Sequence, residues 1–258
     1  MKRHPRILMF TGLCLSLVSA HAQFGPAPSG PNLGGPMDKL FGTNQAFSAT
    51  LEFQTADQSG NTITLPGKIT FDAGKSRFEV NMANVQGKQM PPDAAEQMKS
   101  MGLDQMVMVG RPDKKVAYLI YPGLQSYVAT DLSEAGFAAT NGYYKVETAE
   151  LGKETVDSHP CVKNKVTVTD KDGNKHESTV WNATDLKDFP VKIQTTEGSA
   201  NTTMLFKNVS LAKPAASLFE TPSDYTKYDN MQAMMQQQIM KRMGGGGLPG
   251  GIGRPPGN

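Results

Sequence analysis

Cysteine is nearly absent. The 258-residue chain has two, Cys14 and Cys161. Cys14 lies inside an N-terminal apolar run that reads as a removable leader, so Cys161 is left alone and no internal disulfide is expected. The fold must then be held by its core. Histidine is scarce as well: beyond the leader only His159 and His176 remain. Two separated imidazoles and one thiol do not make a zinc set, so no metal site is expected. An excess of one charge sign is missing too, with 26 basic and 24 acidic residues. Loss of Lys2, Arg3 and Arg6 with the leader leaves 23 against 24, a formal charge of −1. Neither a nucleic-acid footprint nor a polybasic membrane patch follows from that balance. After Ile7–Val18 no further long apolar run occurs, and that run is itself too short to span a bilayer.

What is present begins with that leader. Lys2, Arg3 and Arg6 precede the apolar run, and Ala20-His21-Ala22 follows it as a small-x-small cleavage site with Gln23 as the first mature residue. Cys14 does not read as a lipidation site, because bulky Leu13 precedes it and Leu15, Leu17 and Val18 continue the run. The expectation is a precursor exported to the periplasm or the cell exterior. The mature protein should be soluble or at most peripheral, with no transmembrane segment.

The divisions that follow are 1–22 leader, 23–43 Gly/Pro-rich disordered spacer, 44–228 β domain, 229–243 Met/Gln-rich helix and 244–258 disordered Gly/Pro-rich tail. Within the β domain, Phe47, Ala49, Leu51 and Phe53 interleave with polar residues, the mark of a strand with one buried face. Phe78, Val80 and Met82 repeat it after a turn at Asp72-Ala73-Gly74-Lys75. Val116–Tyr121 and Gln125–Thr130 flank Pro122-Gly123, where Pro presets φ and Gly accepts positive φ. Val162–Thr169 and Lys175–Ala183 flank Asp170-Lys171-Asp172-Gly173-Asn174; Val191–Thr195 and Thr202–Leu211 flank Glu197-Gly198-Ser199-Ala200. Strands joined by short turns are antiparallel neighbours, in one curved sheet, a barrel or a sandwich. Two helices interrupt them. One starts at Pro91-Pro92-Asp93, sets Ala94, Ala95, Met98 and Met101 on one face and stops at Gly102. The other runs from about Asp229 to Met243.

No catalytic constellation is expected. His159-Pro160-Cys161 places a His and a Cys on one strand face, yet the Pro between them suits a strand start better than a nucleophile mount. Cys161 and His176 fall at opposite ends of one hairpin, roughly 25 Å apart at about 3.3 Å per residue. Asp170-Lys171-Asp172-Gly173-Asn174 echoes a calcium loop, but Trp181 stands where the bidentate Glu belongs, so it reads as a turn. No phosphate loop follows a strand, and no cofactor is implied. The Asn-x-Ser/Thr triplets at Asn182, Asn201 and Asn208 are glycan acceptors only in a eukaryotic secretory route.

The methionines say more. Met82, Met90, Met98, Met101, Met106 and Met108 gather around the first helix; Met231, Met234, Met235, Met240 and Met243 occupy the second. Flexible, polarisable Met suits a surface that repacks around varied apolar partners. Thioethers also suit Cu(I), and the plainest reading is that Met98 and Met101 fill a core.

Gly152 leading to Cys161-Val162-Lys163, then Trp181, Phe189-Pro190-Val191-Lys192, Leu205 to Val209, and the closing Ser217-Leu218-Phe219-Glu220-Thr221-Pro222 with Tyr225 together resemble an uncharacterised family of exported bacterial proteins. That family is similar to the periplasmic lipoprotein carriers and outer-membrane lipoprotein receptors of the LolA/LolB type, over about residues 44–228. The resemblance implies a mainly β fold, a strongly curved antiparallel half-barrel with a covering helix and a C-terminal helix. It implies that Pro91–Met101, with Met98 and Met101, covers a concave wall of Phe47, Leu51, Phe53, Phe78, Val80 and Met82. Neither Arg77 nor Arg111 aligns with the carriers' function-linked arginine. The expected function is binding of a lipid-like or other apolar molecule without catalysis, with an envelope protein as a further partner through the termini. Two others stand beside it: an envelope structural or interaction protein whose concavity is packed, and a hydrolase using Cys161.

Overall fold

The computed structural model describes residues 31, 33–56, 61–87, 93–135, 142–197 and 200–244. The expected leader, residues 23–30 of the spacer and the tail beyond Gly244 lie outside the described residues. So do Met90, the helix-starting pair Pro91-Pro92 and the turn residues Gly198-Ser199.

Among the described residues, twelve strands form one sheet. In chain order they are β1 Ala46–Ala56, β2 Thr62–Asp72, β3 Lys75–Asn81, β4 Gln105–Arg111, β5 Val116–Tyr121 and β6 Ser126–Asp131. Then come β7 Lys145–Val156, β8 His159–Thr169, β9 Lys175–Ala183, β10 Phe189–Glu197, β11 Ala200–Ser210 and β12 Thr226–Tyr228. Helices α1 (Ala94–Met101) and α2 (Met231–Gly244) accompany them. The spatial order is β12-β6-β5-β4-β3-β2-β1-β11-β10-β9-β8-β7. Two antiparallel meanders, β1 to β6 and β7 to β11, thus meet where β1 pairs with β11. Strand β12 is parallel to its neighbour β6, and the other pairings are antiparallel. The sheet does not close, so β7 is a terminal strand.

Curvature can be read from the rings. Phe47 on β1 and Phe189 on β10 are separated by β11, a spacing of about 9–10 Å in a flat sheet. Their ring centroids lie 4.9 Å apart. The face that carries them is therefore strongly concave, and the sheet is a half-barrel.

The residue pattern explains the pairing. On β1 buried Phe47, Ala49, Leu51 and Phe53 alternate with half-buried polar residues. The β8–β9 hairpin has the register its turn demands: Thr169 faces Lys175 and Cys161 faces Ala183. Between β2 and β3, Ala73 and Gly74 both take positive φ, 49° and 84°, the primed turn that matches strand twist. At Pro122-Gly123 the turn is present, but for a different reason from the expected one. The residue with positive φ is Gln125, at 46°. Gly123 is needed for close approach: a Cβ there would sit 2.6 Å from the Gly102 carbonyl oxygen. Gly102, in the left-handed region at φ 72°, ends α1 and accepts this backbone-to-backbone contact.

Composition marked 23–43 as a spacer without apolar periodicity. In the structure its second half is part of the core. Met37–Phe41 forms a short 3-10 turn, and Leu33, Leu40 and Phe41 are buried.

Candidate functional site

The concave face is continuous and apolar over most of its width. Cross-strand rows build it: Ala49-Ile69-Phe78-Met108-Leu119-Val128 is one, from β1 to β6. Phe53 continues into the second meander through Met204 and Ile193 to Val180. The expected wall residues Phe47, Leu51, Phe53, Phe78 and Val80 are all buried on this face, and Met82 is buried in the 3-10 turn Met82–Asn84 that follows β3. Met98 of α1 is half-buried and packs on the same cluster; Met101 is half-buried at the helix end.

Three segments from outside the sheet cover the trough. The first helix supplies Met98, with Leu103 just beyond it. The second supplies Met234, fully buried, with Met231 and Met235 beside it. The third cover, absent from the sequence reading, is the N-terminal turn. Phe41 stacks on Phe47 at 4.9 Å and on Phe71 at 5.8 Å, and meets Phe206 edge-on at 5.8 Å. Leu33 is 0% exposed and Phe41 1%. At this end the concavity is filled by the protein's own aromatic and aliphatic side chains.

An open cleft of about 640 Å³ lies elsewhere, at the β8–β11 end of the sheet. Its walls are polar: Thr179, Thr195, Thr202, Thr203, Gln194 and the Lys165–Glu177 ion pair. Such a surface suits water better than an acyl chain.

The thiol and imidazole candidates point away from joint chemistry. Cys161 is buried, which pushes its thiol above the ordinary range, and its Sγ donates to the His159 carbonyl at 3.3 Å. The His159 ring instead meets Asp185, Nδ1 to Oδ2 at 2.8 Å. Among the described residues no group of three or more His, Cys, Asp or Glu is placed to hold a metal ion.

The convex face has a smaller core of its own. Val107, Val109 and Ile120 are buried there beneath Phe219, with Tyr118, Tyr127 and Tyr225 around them. The chain leaves β11 at the sheet centre, crosses this face as a strap through the 3-10 turn Ala216–Phe219, and reaches the far edge as β12. Both arginines that found no counterpart in the carriers hold the strap. Arg77 Nη1 donates to the Leu218 carbonyl at 3.0 Å. Arg111, buried, forks onto Asp113 (2.8 and 2.7 Å) and also donates to the Phe219 carbonyl at 3.0 Å and to Glu220 at 2.5 Å. Lys114 closes the group on Glu220 at 2.8 Å. Hydrogen bonds from Lys114 and Arg111 hold the Glu220 carboxyl below its ordinary range, and Arg111 does the same to Asp113. The closing Leu218-Phe219-Glu220 phrase is therefore a latch on the outer surface.

Trp181, 3% exposed, is in register with Lys163 on β8 and Lys192 on β10. Both ammonium groups lie over its ring, at 4.9 and 4.3 Å, and its Nε1 donates to Glu154 at 2.6 Å.

Solved structures similar to this chain include the following three. One is an uncharacterized conserved protein from Thermus thermophilus, 10% identical, covering 75% of this chain and 94% of that one with a TM-score of 0.40. A LolA superfamily protein from Nitrosomonas europaea is 10% identical and covers 72% and 94%, TM-score 0.38. LprF from Mycobacterium bovis is 13% identical and covers 74% and 95%, TM-score 0.40. No curated protein matches the chain. Residues 62–189, from the start of β2 to the first residue of β10, match DUF4412, a domain of unknown function.

Proposed function

We propose that this is a non-catalytic binding protein of the cell envelope that takes a lipid-like or other apolar molecule on the concave face of its half-barrel. One observation carries the reading: the largest apolar surface of the sheet is closed by three separate segments, α1, α2 and the N-terminal turn, and not by a second sheet. Segments of this kind separate from a wall without breaking strand ladders. Met98, Met231, Met234 and Met235 sit at those contacts, and unbranched thioether side chains repack at low cost. The residues that would contact the ligand are Phe47, Leu51, Phe53, Phe78, Val80 and Met82 on the wall, with Met98 and Met101 on the lid.

A second reading is favoured by the Phe41 cluster: the trough is a packed core and the protein is an envelope scaffold or interaction partner. Native mass spectrometry of the full chain purified from its own envelope fraction, with solvent extraction of bound molecules, separates them. The binding reading expects a reproducible lipid-sized adduct. A bare mass that persists after incubation with total lipid extract favours the scaffold.

A further inference from the structure

We infer that the N-terminal segment Leu33–Phe41 is a displaceable plug that fills the binding trough in the empty protein, so that ligand entry and plug release are one equilibrium. The inference rests on the binding role proposed above and specifies how that site is regulated.

The segment touches the wall through apolar side chains. Phe41 enters the aromatic group of Phe47, Phe71, Phe189 and Phe206, with centroids between 4.9 and 5.9 Å, while Leu33 and Leu40 are buried in the same cluster. Its backbone is not a strand. The amides of Lys39, Gly42 and Asn44 donate to carbonyls of the same segment, those of Pro36, Lys39 and Phe41. Lifting it costs those amides no ladder hydrogen bond. The flanks Gly34-Gly35-Pro36 and Gly42 break any longer element, and Gly35 and Gly42 both take positive φ.

The plug is also imperfect. Asp38 is buried, and its Oδ1 has no hydrogen-bond partner among the described residues; the other oxygen meets Lys39 at 3.3 Å. A buried carboxylate oxygen left unpaired opposes docking. A molecule that offers apolar surface without that carboxylate competes on favourable terms for the same wall. The segment thus covers a hydrophobic surface that would otherwise face water, yet holds it weakly enough to yield. The apparent affinity for ligand is then the intrinsic affinity reduced by the fraction of molecules with the plug out.

Two variants of the full chain move this equilibrium in opposite directions. Leu33→Asp with Phe41→Ser ejects the plug; Asp38→Asn removes its buried charge at unchanged shape and seats it more firmly. The probe is the uncharged apolar dye N-phenyl-1-naphthylamine, followed by fluorescence titration, with hydrogen exchange of residues 33–41 measured with and without it. Near-UV circular dichroism and the thermal midpoint report folding. The expected result is at least a fivefold gain in affinity for the double variant, a severalfold loss for Asp38→Asn, and faster exchange of 33–41 in the wild type when probe binds. Equal affinity in all three proteins with unchanged exchange overturns the plug and leaves the binding role standing. Absence of binding in all three folded proteins overturns both. If the double variant does not fold, Asp38→Asn and the exchange data still decide: no loss of affinity and no probe-dependent exchange overturns the plug.

Discussion

Gly67 faces Leu51 on one side and Val80 on the other, in the middle of the concave wall. A Cβ at this position would collide with the Glu79 carbonyl oxygen and lie 2.6 Å from the Phe78 ring. The first of these is backbone and cannot swing aside. Gly67→Ala is therefore expected to destabilise the domain by about 1–3 kcal/mol, as overpacking does, measured as a shift of the urea midpoint at unchanged slope. A neutral result would mean that β2 and β3 separate at this point without cost. Preceding it, Pro66 is tolerated inside a long strand because the β3 ladder begins only at Gly67. At Glu220 the testable quantity is pH. Its carboxyl is held below the ordinary value of 4.5, so the stability it gives the strap is present above that value and lost as pH falls through the depressed one. Hydrogen-exchange protection factors in residues 216–228, corrected for the intrinsic pH dependence of exchange, should fall on acidification through that window. Glu220→Gln should remove its share of the pH dependence and leave the Asp113 part. Identical acid profiles for wild type and variant would show that the latch contributes nothing.

Among the elements, α1 is the cover that the family resemblance implied. Met98→Asp with Met101→Asp places charge on a half-buried face, so folding should survive with a loss of about 1–3 kcal/mol, while binding of an apolar probe is abolished. Folding and binding both intact would remove α1 from the site. The helix was legible because Ala95, Met98 and Met101 recur at helical spacing before Gly102. Strand β1 and the β8–β9 hairpin were legible for the same kind of reason, period-two alternation and a turn of fixed chemistry. Others were not, and three of them show why. Strand β4, Gln105–Arg111, is buried on both faces, with Met106 toward the trough and Val107 and Val109 toward Phe219, so its apolar run shows no alternation. Strand β7 fails for the opposite cause: nearly all of it is exposed, and an edge strand without a buried face leaves no pattern. The N-terminal turn has only Leu33, Met37, Leu40 and Phe41 as large apolar residues among glycines and prolines. What orders it is the aromatic wall it meets, a tertiary effect that local composition does not record. Its absence from the sequence reading also hid the fact that the protein fills part of its own trough.

At the scale of the molecule, the two meanders meet at β1 and β11, and the C-terminal chain then ties the faces together. It runs over the convex side as the strap, joins the β6 edge as β12 and continues into α2, whose Met234 is buried in the concave core. One margin of the sheet is thereby occupied by a three-residue parallel strand with a helix behind it. The opposite margin is β7, twelve residues long, interrupted by a bulge between Glu150 and Gly152 and studded with lysine and glutamate. The two ends of the sheet are thus unlike. A ribbon that grows by adding strands needs two usable margins, one to receive and one to offer. Here, if two copies joined through β7, each would use up its long margin in doing so, and the pair would present only short, backed ends to a third. Edge-to-edge growth of this sheet would stop at the pair, halted by geometry as well as by charge.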